Sequence, residues 1–188
     1  MIGPTTSLRW GYAACKLSAE FLALAMNFRC TITRFFNITG EGQSVDSGMV
    51  VPTFIHKVCN DQPIIIHGDG EQTRSFCDIR DAVKMLTSIS GEEHIGETYN
   101  IGNPSNNITT NNLISVIEQT LNKKADIQYM SHDECFQTGF KDINLRSPNI
   151  DKISIFYKPV HDLVSIITSM TEDKPFPSRV LQGHLGVV

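Results

Sequence analysis

From Trp10 onward the apolar positions Ala13, Ala14, Leu17, Phe21, Leu24, Ala25 and Phe28 return at steps of three and four. That is the spacing of one helical face, and it predicts a long helix. Residues 30–37 are rich in β-branched and aromatic side chains and run into Gly40 and Gly42, which reads as a strand ending in a loop. Helical spacing returns over residues 49–59, and 63–67 is a short apolar strand stopped by Gly68-Asp69-Gly70. Residues 74–79 lead into an amphipathic stretch over 81–89, and Thr98-Tyr99-Asn100-Ile101 is a further strand before Gly102 and Pro104. Thr109 or Thr110 caps a helix over 113–121, since either hydroxyl can accept from the open amides of the first turn. Residues 126–130 read as a strand and 131–148 as polar and irregular. Two short helices follow, and after Lys174 comes an aperiodic tail. Strand and helix alternate, with no repeat and no low-complexity tract.

At 188 residues with 40% hydrophobic content, the chain can bury one core, or one core and a small satellite lobe. The net charge of -4 excludes nucleic acid as a main partner, because a phosphate backbone asks for a basic surface. An anionic ligand would need locally placed arginines. The five cysteines form no CxxC pair, no metal site is expected, and no secretory leader is evident at the N-terminus; a reducing cytoplasm fits. No apolar run approaches the ~20 residues of a membrane span, so a soluble protein is expected.

The candidate chemistry begins with Tyr12 and Lys16, four residues apart and so on one face of the first helix. A phenol is a poor base near neutrality, but a positive charge beside it favours the phenolate. Alone the pair is a weak signal; its surroundings change that. Arg9-Trp10-Gly11-Tyr12-Ala13-Ala14-Cys15-Lys16, followed by Glu20-Phe21, resembles the active-site helix of extended short-chain dehydrogenases. Further blocks follow in that family's order: Arg34-Phe35-Phe36-Asn37-Ile38-Thr39-Gly40, Gly48-Met49-Val50-Val51-Pro52-Thr53-Phe54-Ile55, Gly68-Asp69-Gly70-Glu71-Gln72-Thr73-Arg74, and Tyr99-Asn100-Ile101-Gly102-Asn103. Arg146-Ser147-Pro148-Asn149-Ile150-Asp151-Lys152 continues the match. The chain thus resembles the C-terminal portion of the NAD-dependent epimerase/dehydratase family, over about residues 5–170.

The resemblance implies an α/β fold: the C-terminal part of a Rossmann-like parallel sheet with a small mixed α/β substrate-binding lobe. It divides the chain into 1–60, with the Tyr-Lys helix, 61–174, with the substrate lobe and remaining sheet elements, and a tail at 175–188. It implies that Tyr12, as phenolate, takes a proton from a sugar hydroxyl while the adjacent carbon gives hydride to NAD. Lys16 would prime Tyr12 and hold the nicotinamide ribose, and the backbone around Phe35 and Phe36 would lie near the nicotinamide. On the substrate side it places Asn37, Arg74 and Arg146 at the diphosphate, where a guanidinium can fork onto phosphate oxygens. It also sets His67 against the nucleobase, with Val50 and Val51 beside it.

The family begins with a strand, a glycine-rich turn at a helix N-terminus and a ribose-binding acidic residue. This chain has none of these, since Gly40-Glu41-Gly42 follows the catalytic helix, and Thr5, Thr6 and Ser7 stand too close to Tyr12 to supply the upstream catalytic hydroxyl. The expectation is a fragment or one piece of a split enzyme, with NAD bound weakly and turnover slow or absent in this chain alone. A homodimer through the tyrosine helix, or association with an N-terminal half, would cover the exposed sheet. The reading places a nucleotide-sugar epimerase first, a UDP-glucuronate decarboxylase second and a 4,6-dehydratase third. A non-catalytic nucleotide-sugar-binding module is the alternative from another class.

Overall fold

The computed structural model describes residues 9–131 and 145–172. Thr5, Thr6 and Ser7, the 132–144 part of the polar segment and the tail after Lys174 lie outside the described residues.

The first helix, α1 (Arg9–Ala25), is followed by Asn27 at φ 55°, a left-handed residue of the kind that ends helices. The apolar period continues to Phe28, but the helix stops three residues short of it. Strand β1 (Ile32–Phe35) comes next and pairs in parallel with β6 (Thr98–Ile101), with Ile32 opposite Thr98 and Phe35 opposite Ile101. The amides of Ile32 and Phe36 donate to Glu97 and Ile101. Because N–H direction alternates along a strand, those of Thr33 and Phe35 point to the other edge of β1. Among the described residues no strand pairs there. Arg34 meets Glu20 of α1 on one face of β1, whereas Thr31 and Thr33 line a cleft with Leu86 of α3 (Ile79–Ser88) and Ile89 just past its end on the other. Helices therefore flank both faces, as parallel strands require.

Two cores share the chain. One joins Cys77, Ala82, Met85, Ile89, Tyr99, Ile101 and Ile153 around α3 and β6. Burial pushes the Cys77 thiol up to about 12, so it acts there as a small apolar group. The other core packs α2 (Val50–Cys59), α4 (Thr110–Leu121) and α5 (Leu163–Thr171) over β3 (Ile64–His67). In β3, Ile64 and Ile66 are buried while Ile65 and His67 are exposed, the two-residue alternation of a strand with one covered face. Fully burying each such isoleucine contributes about 1.5–3 kcal/mol. β3 pairs in parallel with β8 (Ile127–Met130).

Between the cores run β2 (Ile38–Thr39), paired in parallel with β5 (Cys77–Asp78), and a three-stranded sheet centred on β4 (Thr73–Ser75). β4 is antiparallel to β7 (Asn107–Thr109) and parallel to β9 (Leu145–Arg146). Strand β9 lies in the segment expected to be irregular; its two residues are recruited by backbone pairing with β4.

The buried Asp81 in the first turn of α3 draws the 157–161 segment back onto the fold. Its carboxylate accepts from Tyr157 Oη at 2.8 Å, from the amides of Val160 and His161, and lies 2.9 Å from His161 Nδ1. By contrast Leu17, Phe21, Leu24 and Phe28 are all exposed, so the stripe on α1 meets neither core. Cys15, Cys30, Cys59 and Cys77 are free thiols, and no helix among the described residues is long and apolar enough to cross a membrane.

Candidate active site

Tyr12 is 74% exposed on α1, and Lys16 Nζ stands 5.5 Å from the centre of its ring. Glu20, one further turn along the same face, receives Arg34 in a two-pronged ion pair, Nε to Oε1 at 2.8 Å and Nη2 to Oε2 at 2.5 Å. The Arg34 hydrogen bond holds the Glu20 carboxyl below its ordinary value, against a smaller opposing effect of burial. The pair anchors the Tyr12–Lys16 face beside β1.

Phe35 closes β1 at its carboxyl end and is exposed, at the end of a parallel strand where ligands of open α/β sheets collect. Phe36 donates its amide to Ile101, and its Cβ sits so near Gly102 that any side chain there would overlap it and Pro148. Asn37 adopts φ 42°, a left-handed conformation that asparagine tolerates. Its Nδ2 donates to Ser75 O at 2.9 Å, and its own carbonyl accepts from Cys77 N. The amide that the resemblance assigns to a diphosphate thus joins β1 to β4.

Arg74 and Arg146 are register partners on the parallel strands β4 and β9. Neighbours in register point to the same face and lie about 4.8 Å apart at the backbone. Ser75, the next residue, reaches Asn107 Oδ1 at 3.3 Å and Arg146 O at 3.5 Å through its hydroxyl. Arg74 Nη1 also donates to Thr73 O at 2.8 Å, which anchors one outer nitrogen of its guanidinium.

His67 ends β3 in an exposed position, and the following turn runs through Gly68 at φ 79° and Gly70 at φ 76°. Only glycine adopts these angles freely, which is why the motif is Gly-Asp-Gly. Val50 and Val51 part company: Val50 is 40% exposed at the start of α2, whereas Val51 is 1% exposed inside a core and can give a ligand only its backbone. Thr53, on the next turn of α2, buries an Oγ1 without a hydrogen-bond partner among the described residues. Thr53, Ser75 and Asn111 were not singled out in the sequence, since a threonine inside a helix and an asparagine beside a cap look like ordinary local chemistry.

Tyr12 and Lys16 meet on α1 and Phe35 ends β1, while Arg74 and Arg146 are partners on β4 and β9 and His67 ends β3. The Asn37–Ser75 bond links the end of β1 to β4.

The profile of the NAD dependent epimerase/dehydratase family matches residues 2–102. UDP-N-acetyl-alpha-D-glucosaminuronate decarboxylase of Bacillus cytotoxicus is 30% identical over 157 residues, covering 81% of this chain and 49% of that protein. UDP-glucuronic acid decarboxylase 2 of Arabidopsis thaliana is 32% identical over 145 residues, 75% of this chain and 31% of that protein. The crystal structure of UDP-glucuronic acid 4-epimerase from Bacillus cereus, in complex with UDP-glucuronic acid and NAD, superposes with a TM-score of 0.72 at 26% identity, covering 84% of this chain and 50% of that one. The chain spans half or less of the length of these relatives. By the match over residues 2–102, the chain belongs to the NAD-dependent epimerase/dehydratase family.

Proposed function

We propose that this chain is the substrate-holding portion of an NAD-dependent nucleotide-sugar epimerase or decarboxylase, working with a dinucleotide-binding half of the kind its relatives carry. The observation that supports this most is the Arg74–Arg146 register pair. Two guanidinium groups on one sheet face offer a matched set of donors to a diphosphate, whose four outer oxygens can take both forks. In this reading His67 stacks on the nucleobase, Val50 supplies apolar contact, and Asn37 keeps the arginine strand in register with β1.

Tyr12 takes the proton of a sugar hydroxyl, and Lys16 supplies the positive charge that favours the phenolate and a donor for a ribose hydroxyl. NAD, when bound, accepts the hydride from the adjacent sugar carbon. In this reading the nicotinamide end of that cofactor lies against the exposed Tyr12 and Lys16 and the backbone around Phe35 and Phe36. On the same reading the cofactor's pyrophosphate is held by the dinucleotide-binding half, at a glycine turn on a helix N-terminus. The edge of β1 that no strand pairs among the described residues, and the exposed stripe Leu17, Phe21, Leu24 and Phe28, support such an association, or a homodimer.

Both epimerase and decarboxylase relatives carry UDP-glucuronic acid in their names, which makes it the substrate to try first. The test incubates this chain with NAD and UDP-glucuronic acid, alone and with the dinucleotide-binding half of the Bacillus cereus epimerase. NAD-dependent formation of the 4-epimer or of carbon dioxide, abolished by Tyr12→Phe, is expected with the added half. UDP binding with no conversion under either condition would favour a non-catalytic nucleotide-sugar-binding module.

A further inference from the structure

We infer that Asn111 is a positioning residue for the nucleotide-sugar site, clamping the 68–71 turn so that His67 and Arg74, at either side of it, address one ligand. The inference rests on the reading above and names a residue which that reading does not use.

Asn111 sits in the first turn of α4, and its side chain turns back to the Gly-Asp-Gly loop. Nδ2 donates to Asp69 O at 2.9 Å and to Glu71 Oε1 at 2.6 Å, while its backbone amide donates to Gly70 O at 3.2 Å. Oδ1 accepts from Tyr129 Oη of β8 at 3.2 Å, so the amide is itself held from the far side. A Cβ on Gly70 would overlap the Asn111 amide, and the buried Gly70 therefore serves close approach as well as its positive φ.

None of this is needed to start the helix, because Thr109 already caps α4, its Oγ1 accepting from Asn112 N at 3.1 Å. Nor does it serve either core, since Asn111 belongs to neither. What the clamp fixes is a turn with two left-handed glycines, which is otherwise pliable, between an exposed histidine and an arginine. Ordering such a turn before the ligand arrives removes that cost from binding.

The test is a calorimetric titration of the whole chain with UDP, and with dTDP in parallel. For whichever nucleotide the wild type takes up more tightly, Asn111→Ala should weaken binding by about tenfold, the usual scale of one lost ordering contact. Asn111→Asp, isosteric but without the two N–H donors, should lose as much and keeps the test open if the alanine variant does not fold. Ser115→Ala, which removes a hydroxyl bonded to Asn111 O on the same helix, should bind as the wild type does. In the double variant Asn111→Ala/Arg74→Ala the loss should be smaller than the sum of the two single losses, because part of the clamp's effect acts through the arginine. Unchanged affinity in both Asn111 variants, or losses that simply add, would overturn the inference and leave the functional reading standing. Failure of the wild type to bind either nucleotide would overturn that reading, and this inference with it.

Discussion

Asn37 donates its side-chain N–H to the carbonyl oxygen of Ser75 at 2.9 Å, across 38 positions of sequence. That bond ties the end of β1, which carries Phe35, to the strand that carries Arg74. Asn37 reaches it from φ 42°, so position 37 needs both a left-handed backbone and a donor. Asn37→Ala forfeits both, at about 2–3 kcal/mol, from roughly 1 for the bond and 1–2 for the backbone. Asn37→Gly keeps the conformation and should lose less. Urea midpoints in the order wild type, glycine, alanine are expected; an alanine variant as stable as the wild type would show that the joint is not needed.

Asp81 sets the acid limit of stability. Burial works to raise its carboxyl, but the bonds from His161, Tyr157 and Val160 outweigh it and hold the group below its ordinary value of 3.8. The unfolded chain titrates at the ordinary value, so the contribution is complete above about pH 4 and fades as pH falls through the lower folded value. Tyr157 behaves oppositely: burial and then Asp81 push its phenol up to about 12, so its contribution is complete below about pH 10 and fades as pH climbs toward 12. Asp81→Ala should cost about 3 kcal/mol at pH 7 and flatten the acid side of a stability-against-pH curve. Tyr157→Phe should flatten the alkaline side and, by removing one of the bonds that hold Asp81 down, reduce the acid-side dependence in part.

Thr53 carries a buried hydroxyl with no hydrogen-bond partner among the described residues. Burying an unpaired hydroxyl is costly, so Thr53→Val, which keeps the shape, should raise stability by about 1 kcal/mol. An unchanged or lower urea midpoint would show that the hydroxyl has a partner in solution.

α1 is held to β1 by the Glu20–Arg34 pair, with most of its apolar residues exposed. Glu20→Gln should change global stability by only about 0.5 kcal/mol, as surface pairs do. Its effect should be local: faster hydrogen exchange at α1 amides, with those of α4 and α5 unmoved. Equal acceleration everywhere would contradict the local role given to the pair.

How far the sequence could be read follows from which forces leave a side-chain signature. The helix α2, the strands β3 and β6 and the cap at Thr109 were legible, because burial imposes a period on residues such as Ile64 and Ile66 and capping demands a hydroxyl. β2, β7 and β9 were not, since two or three residues paired through their backbones carry no period. The stripe on α1 was legible as a helix but not in what it faces. At the site, Gly-Asp-Gly before Arg74 pointed to a close backbone approach. The register partnership of Arg74 with Arg146 brings together residues 72 positions apart, which no local pattern encodes. Asn37 shows the converse: its motif suggested a ligand contact, and its geometry adds a structural bond that spacing alone cannot reveal.

The central claim is that Arg74 and Arg146 together receive a nucleotide diphosphate, and a calorimetric titration with UDP at two salt concentrations tests it most directly. The account predicts binding by the wild type that weakens as salt rises, partial loss in Arg74→Ala and in Arg146→Ala, and no measurable heat in the double variant while its folded spectrum is kept. Binding by the double variant at wild-type affinity would contradict it.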